Sequence, residues 1–343
     1  MLPREIEAAW DELPGASVLP IPGGLINQTY RVERGGQRWI LQRLHTIYGP
    51  PLHDDIEAVT RHLVARGLAT PLLVPTRAGA LCAVADDGRV WRVMTFIDGR
   101  TVHRVSRAAE AHAAGGLAAR FHRAVADLPR ELSFVRPEFH DTPAYLARLE
   151  RALASAPGHQ AAALGEAILA AARTLPALGG LPRRLIHGDL KISNVLFAPA
   201  QGSDQALALC DLDSLARLSI PIELGDALRS WANPLGEDVE ATRLDAGVVD
   251  AALTGYHAAA GDLIVPEEAR ALVPALATIA LELAARFCTD AIEDRYFGWD
   301  PARFPSRSAH NQVRATGQLA LGRAALEQRA ALEAIVTRLW GGD

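Results

Sequence analysis

Apolar positions in the first hundred residues come in short runs, separated by polar breaks rich in Gly and Pro. Residues 25–32, 39–44, 71–74, 80–84 and 90–97 each have strand length. Turn signals such as Arg34-Gly35-Gly36 and Asp86-Asp87-Gly88 bound them. The last two runs read as the arms of a hairpin. Residues 53–66 break the pattern, with Ile56, Val59, Leu63 and Val64 at helical spacing and Gly67 as the stop. After Asp98-Gly99 the chain turns Ala- and Leu-rich. Helices are predicted over 106–128 (capped by Ser106), 141–156 and 160–178, and again from about 222 to the end. A strand-rich island at 185–213 interrupts them. The pattern predicts an α+β chain of two lobes: a small antiparallel sheet over 1–98 and a large, mainly helical lobe over 99–343.

Composition narrows the classes. The 343 residues are 49% hydrophobic and 22% charged, which suits a globular chain with a sizeable core. The 35 basic and 40 acidic residues leave a net charge of -5, so the basic footprint of a nucleic-acid or acidic-membrane binder is missing. Cys82, Cys210 and Cys288 are odd in number and far apart. They read as free thiols of a reducing compartment and not as a disulfide or zinc framework. Residues 1–10 carry acids early and no apolar signal core. The most apolar stretch, 271–281 between Arg270 and Glu282, is shorter than the roughly 20 residues a membrane span needs. A cytoplasmic protein without nucleic-acid or membrane partners is expected, with monomer and homodimer both open.

The most informative stretch is L-I-H-G-D-L-K-I-S-N-V-L-F, residues 185–197, followed by Cys210-Asp211-Leu212-Asp213. A tight polar loop lies between two apolar runs, and a second short run ends in two acids. His, Asp and Asn at this spacing suit phosphoryl transfer. One Asp orients a hydroxyl and accepts its proton, while an Asn and a second Asp hold Mg2+ against nucleotide phosphates. Magnesium takes carboxylate, amide, water and phosphate oxygens. The expected roles are Asp189 as base, Asn194 and Asp211 as metal ligands, and Asp213 as the alternative ligand.

These residues resemble the aminoglycoside phosphotransferase and choline kinase superfamily, with its protein-kinase-like fold and its H-G-D-x-x-x-x-N and D-x-D motifs. Gly188, in place of the Arg of protein kinases, points to the small-molecule branch. The resemblance implies ATP as co-substrate. It places Gly24, Asn27 and Thr29 in the loop that covers the phosphates, and backbone groups of Thr95 and Ile97 at the adenine edge. The strand Trp39-Ile40-Leu41-Gln42-Arg43 lacks the usual Lys. Gln42 and Arg43 face opposite sides of it. Arg43 is taken as the phosphate cation, with Glu57 of the first helix as its partner.

Residues 24–30, 39–44, 223–229, 285–290, 294–297 and 310–314 are similar to the N-acetylhexosamine 1-kinase branch. That likeness implies phosphorylation of the anomeric hydroxyl of an N-acetylhexosamine sugar. Asp226, Arg229, Arg286, Tyr296 and Trp299 are the expected sugar-side residues. The pairs Asp226/Arg229 and Arg286/Asp290 also sit at ion-pair spacing on helices. Other acceptors remain open: an amino alcohol, homoserine or an aminoglycoside. So does a pseudokinase binding module, for which the missing Lys speaks.

Overall fold

The computed structural model describes residues 2–21, 27–200 and 203–341. The chain forms two compact units, Met1–Asp98 with Asp127–Val135, and Gly99–Ala126 with Arg136–Asp343.

The first unit opens with α1 (Arg4–Ala9). The strands β1 (Ser17–Ile21), β2 (Gln28–Arg34) and β3 (Gln37–Arg43) follow as an antiparallel meander. Then come α2 (Pro51–Ala65), β4 (Leu73–Val74), β5 (Ala83–Val84) and β6 (Val90–Thr95). The sheet order is β1-β2-β3-β6-β4, with β5 also on β6. Alternation along the strands puts Val32, Leu41, Trp91 and Val93 on one face, where they are buried with Ile6, Trp10 and Leu13. The Trp10 indole N–H donates to Val74 O at 2.8 Å. The sequence pattern missed α1 and β1. The expected strand 25–32 begins outside the described residues; among these it corresponds to β2, Gln28–Arg34.

Residues 127–135 belong to this unit, although the composition change at 98 placed them in the helical lobe. Asp55 of α2 holds them, its carboxylate accepting from Ser133 N (3.0 Å), Phe134 N (2.8 Å) and Arg130 Nε (3.0 Å).

The second unit begins with β7 (Arg100–Thr101) and α3 (Ala108–Val125). The predicted Ser106 cap does not form. The Glu110 carboxylate instead accepts from the Ser106 backbone and hydroxyl, at 2.9 and 2.8 Å. Asp141 does cap α4 (Thr142–Ser155), accepting from Ala144 N at 3.0 Å. Helix α5 (Ala162–Ala172) stops short of residue 178, before Pro176 and the Gly179-Gly180 pair. The island holds β8 (Arg184–Ile186), β9 (Val195–Phe197), β10 (Ala206–Leu209) and β11 (Ala216–Leu218), paired as β10-β9-β7 and β11-β8. Helices α6 (Ile220–Trp231), α7 (Ala246–Ala260), α8 (Pro266–Glu293), α9 (Arg307–Glu327) and α10 (Arg329–Trp340) complete the unit.

The apolar stretch at 271–281 lies inside α8, a 28-residue helix long and apolar enough to cross a membrane by length and composition. Here it is the core helix, with α4, α5, α6 and α9 packed against it. Its Leu281, Ala284, Ala285 and Cys288 are buried with Leu149, Ile168 and Leu319. Helix α6 approaches closely because position 225 is Gly: a Cβ there would lie 2.8 Å from the Ala275 backbone.

Candidate active site

Residues 187–194 leave β8 as a tight loop whose shape depends on Gly188. Its φ is +82°, and a Cβ would meet Ser214 O at 2.0 Å. Only glycine allows both the left-handed backbone and this approach. The loop carrying Asp189 thereby packs against the segment carrying Asp211 and Asp213.

Other bonds hold the same junction. The His187 Nε2–H donates to Cys210 O at 3.0 Å, and Cys210 N donates to Asn194 O at 3.0 Å. Burial lowers the His187 pKa and so favours the neutral ring, whose bare Nδ1 accepts from Asp189 N at 3.3 Å. The buried Glu223 carboxylate accepts from the N–H groups of His187 (2.8 Å) and Gly188 (2.7 Å). It also meets His122 Nε2 at 3.0 Å, and His122 Nδ1 meets the Tyr256 hydroxyl at 2.9 Å. The Trp231 indole donates to Leu190 O at 2.7 Å, and the Ser230 hydroxyl accepts from Ile192 N at 3.1 Å.

On this scaffold Asp189 Oδ2 accepts from Lys191 Nζ at 2.7 Å. Burial works against the Asp189 carboxylate. The Lys191 ammonium outweighs it, Arg229 adds to the effect, and the carboxyl stays below its usual range. Lys191 also feels Asp211; its own burial penalty is exceeded, and its pKa is raised. Asn194, 5% exposed, donates through Nδ2 to Asp189 O at 2.8 Å, which orients the amide and leaves its oxygen outside that bond. Asp211 has φ +67°, a left-handed conformation uncommon outside glycine and tolerated best by Asp and Asn. Such strain concentrates at functional sites. Asp213 is buried on the next turn.

Among the described residues no group of three or more His, Cys, Asp or Glu could hold a metal. An amide oxygen with one or two carboxylates is still the donor set that suits a hard cation completing its shell with phosphate and water. The residues fit Mg2+ in that shared role.

The expected acceptor residues all lie in the second unit. Arg229 donates to Asp226 Oδ1 through Nε (3.0 Å) and Nη2 (2.9 Å), and through Nη1 to Glu237. Buried His140 meets Glu282 Oε1 at 3.0 Å and feels Asp226 and Arg286. The Arg286 guanidinium lies over Tyr145 (4.8 Å) and Phe297 (5.6 Å). Asp290 does something else: its carboxylate accepts from the N–H groups of Arg295, Tyr296 and Phe297 and from Asn311 Nδ2. It fixes the loop that presents Tyr296, which is 40% exposed, and the half-buried Trp299.

The expected nucleotide residues lie in the first unit, except Gly24, which lies outside the described residues. Asn27 Oδ1 accepts from His45 N at 2.9 Å, and Thr29 Oγ1 accepts from Gln42 Nε2 at 3.1 Å. The expected Arg43–Glu57 pair does not form. Arg43 donates to Asp87 Oδ2 at 2.6 Å, while Glu57 accepts from Arg61 one turn along α2. Arg43 shares the β3 face of buried Leu41, the face that packs on α1 residues. The Thr95 amide donates to Leu72 O at 2.8 Å and its hydroxyl accepts from Leu72 N at 2.9 Å, so that amide is not open to an adenine edge. Ile97 is half-buried two residues on.

Sequence reasoning missed Lys191 and Glu223. Lys191 had a signal, since residues i and i+2 of an extended segment share a side. Glu223 had none, because its partners are backbone groups 35 and 36 positions away.

Residues 17–261 match the model of the phosphotransferase enzyme family. A microcompartment-associated aminopropanol kinase is similar in structure, with 18% identity, TM-score 0.66, and 95% of this chain and 96% of that one covered. An aminoglycoside phosphotransferase from Alicyclobacillus acidocaldarius gives 16% identity, TM-score 0.60, and 99% and 97% coverage. An amicoumacin kinase in complex with AMP-PNP, Ca2+ and Ami gives 15%, 0.61, and 98% and 92%. The antiparallel sheet and helical region described above are those of this protein-kinase-like fold. The family match takes in both the H-G-D-x-x-x-x-N loop and the D-x-D segment that Gly188 packs together, and the chain belongs to the phosphotransferase enzyme family.

Proposed function

We propose that the protein transfers the γ-phosphoryl group of ATP to the anomeric hydroxyl of an N-acetylhexosamine. The observation that carries the phosphoryl-transfer part is the Asp189–Lys191 pair, with Asn194 anchored on Asp189 O and Asp211 acting on the same ammonium. Asp189, kept ionised, orients the acceptor hydroxyl and takes its proton late. An anomeric hydroxyl is more acidic than an ordinary alcohol, so a weak base suffices. Lys191 sets the direction of the carboxylate and lends positive charge where the transferred group gathers negative charge. Asn194 and Asp211 would hold Mg2+, which neutralises phosphate charge when bound, with Asp213 as the alternative ligand. The intact acid and amide set speaks against a pseudokinase.

Support for a sugar acceptor comes from the second unit. Tyr145, Phe297 and Tyr296 offer ring surface beside the Arg286 guanidinium, and Asp226 lies close enough to act on the neighbouring His140. An amino alcohol acceptor is the second reading, favoured by the likeness to the aminopropanol kinase and by the acid Asp226. Magnesium-dependent ATP turnover over N-acetylhexosamines, aminopropanol and homoserine decides between them. With the sugar, the product should show a phosphorus-coupled anomeric proton in its NMR spectrum. Phosphate on the 6-hydroxyl would overturn the anomeric reading, and turnover of the amino alcohol alone would replace it with the second class of acceptor.

A further inference from the structure

Strand β3 has no lysine, and the structure shows where another cation stands. In the ladder β2-β3-β6, Thr29 lies opposite Gln42 and Gln42 opposite Arg92. Residues directly opposite in neighbouring strands share a face. Thr29, Gln42 and Arg92 therefore form one polar row across three strands. The next row, Gln28, Arg43 and Trp91, lies on the opposite face, with the apolar cluster.

The polar row is bonded along its length. Arg92 donates to Gln42 Oε1 through Nε at 2.9 Å and Nη2 at 2.6 Å, and Gln42 Nε2 donates to Thr29 Oγ1 at 3.1 Å. A planar guanidinium held by two donors on one oxygen keeps a fixed orientation. Its positive charge thus stands at the tip of the residue-42 side chain, where a lysine on β3 would carry its ammonium.

We infer that Arg92 supplies, from β6, the positive charge toward the nucleotide phosphates that β3 lacks, with Gln42 as its positioning residue; this rests on the ATP-dependent reading above. Arg92 is 1% exposed. A charge so enclosed is weakly screened by solvent ions, so it acts on a phosphate without needing to reach past Gln42. Arg43, paired with Asp87 on the other face, is not needed for this.

Nucleotide affinity, read by calorimetry with ATP–magnesium, and steady-state kinetics test the assignment together. Arg92→Gln should weaken ATP binding and raise the KM for ATP by about tenfold, the order of the attraction between two unit charges about 10 Å apart at an effective dielectric of about 20. The acceptor KM should stay within about twofold, because acceptor residues lie elsewhere in the chain. Arg92→Lys should lose less. The double variant Gln42→Lys/Arg92→Gln returns a cation to β3 and should recover most of the affinity, which a merely structural role for Arg92 would not produce. ATP affinity of Arg92→Gln within twofold of wild type, or a double variant no better than the single one, overturns the inference. If Arg92→Gln does not fold, the other two variants decide: a folded double variant that binds ATP supports it, and one that does not overturns it. Wild-type protein that binds no ATP–magnesium would instead remove the ATP-dependent reading itself, and this inference with it.

Discussion

The carboxylate of Glu223, in the first turn of α6, accepts the backbone N–H of Gly188 at 2.7 Å and that of His187 at 2.8 Å. The loop that carries Asp189 is thus held by a side chain 35 residues further along. His122 and Tyr256 extend the same network into α3 and α7.

Removing that carboxylate leaves two amides and an imidazole unpaired in a fully covered place. Glu223→Ala should cost about 3–5 kcal/mol of stability, the usual loss when one partner of a buried charged network goes. Glu223→Gln keeps the shape and should cost less. Denaturant unfolding measures both. Equal stability of wild type and Glu223→Ala would mean that the loop is held by other bonds.

Gly188→Ala puts a methyl group 2.0 Å from Ser214 O and forces a left-handed backbone on a residue that resists it. Strain of about 1–3 kcal/mol is expected from the backbone alone. Because the clash separates the Asp189 and Asp211 segments, kcat should fall more than the KM for either substrate. Unchanged kcat in a folded Gly188→Ala protein would contradict the close junction.

Asp189→Asn should leave ATP binding nearly intact and lower kcat by about two to four powers of ten, the span of a positioned acid or base. Lys191→Met should also lower kcat, since the carboxylate loses the ammonium that orients it. Asp211→Ala should weaken binding of the ATP–magnesium complex. Calorimetry and turnover on the three variants separate base, orienting group and ligand. Turnover of Asp189→Asn within a few fold of wild type would remove Asp189 from the chemistry.

His140 and Glu282 predict a pH dependence of stability. Burial penalises both charges. Their mutual attraction exceeds it, raising the His140 pKa above 6.5 and lowering that of Glu282 below 4.5. The His140 contribution is complete below pH 6.5 and is lost as pH rises through the raised native value. That of Glu282 is complete above pH 4.5 and is lost as pH falls through the lowered one. The pair stabilises most between these limits. In His140→Gln, the decline in unfolding free energy above pH 6.5 should flatten. An identical slope in the variant would show that other groups cause it.

The local pattern determined much of this protein. Strand alternation, helix spacing and the Gly-marked turns are properties of neighbouring residues, and they located the sheet, α2 and the long helices. The H-G-D-x-x-x-x-N loop and D-x-D segment were legible for the same reason: their chemistry needs specific residue types a few positions apart. Tertiary structure decided what those residues touch. Arg43 meets Asp87, 44 positions away, and Glu57 meets Arg61 one turn along α2, so their expected pair is absent. Asp290 turned from an ion pair on its own helix to three loop amides, because a carboxylate satisfies several buried N–H groups at once. Glu223, Asp55 and Arg92 gave no sign in the sequence. Their partners lie far away in number and meet them only when helices and strands pack, and side-chain spacing carries no record of contacts made at that distance.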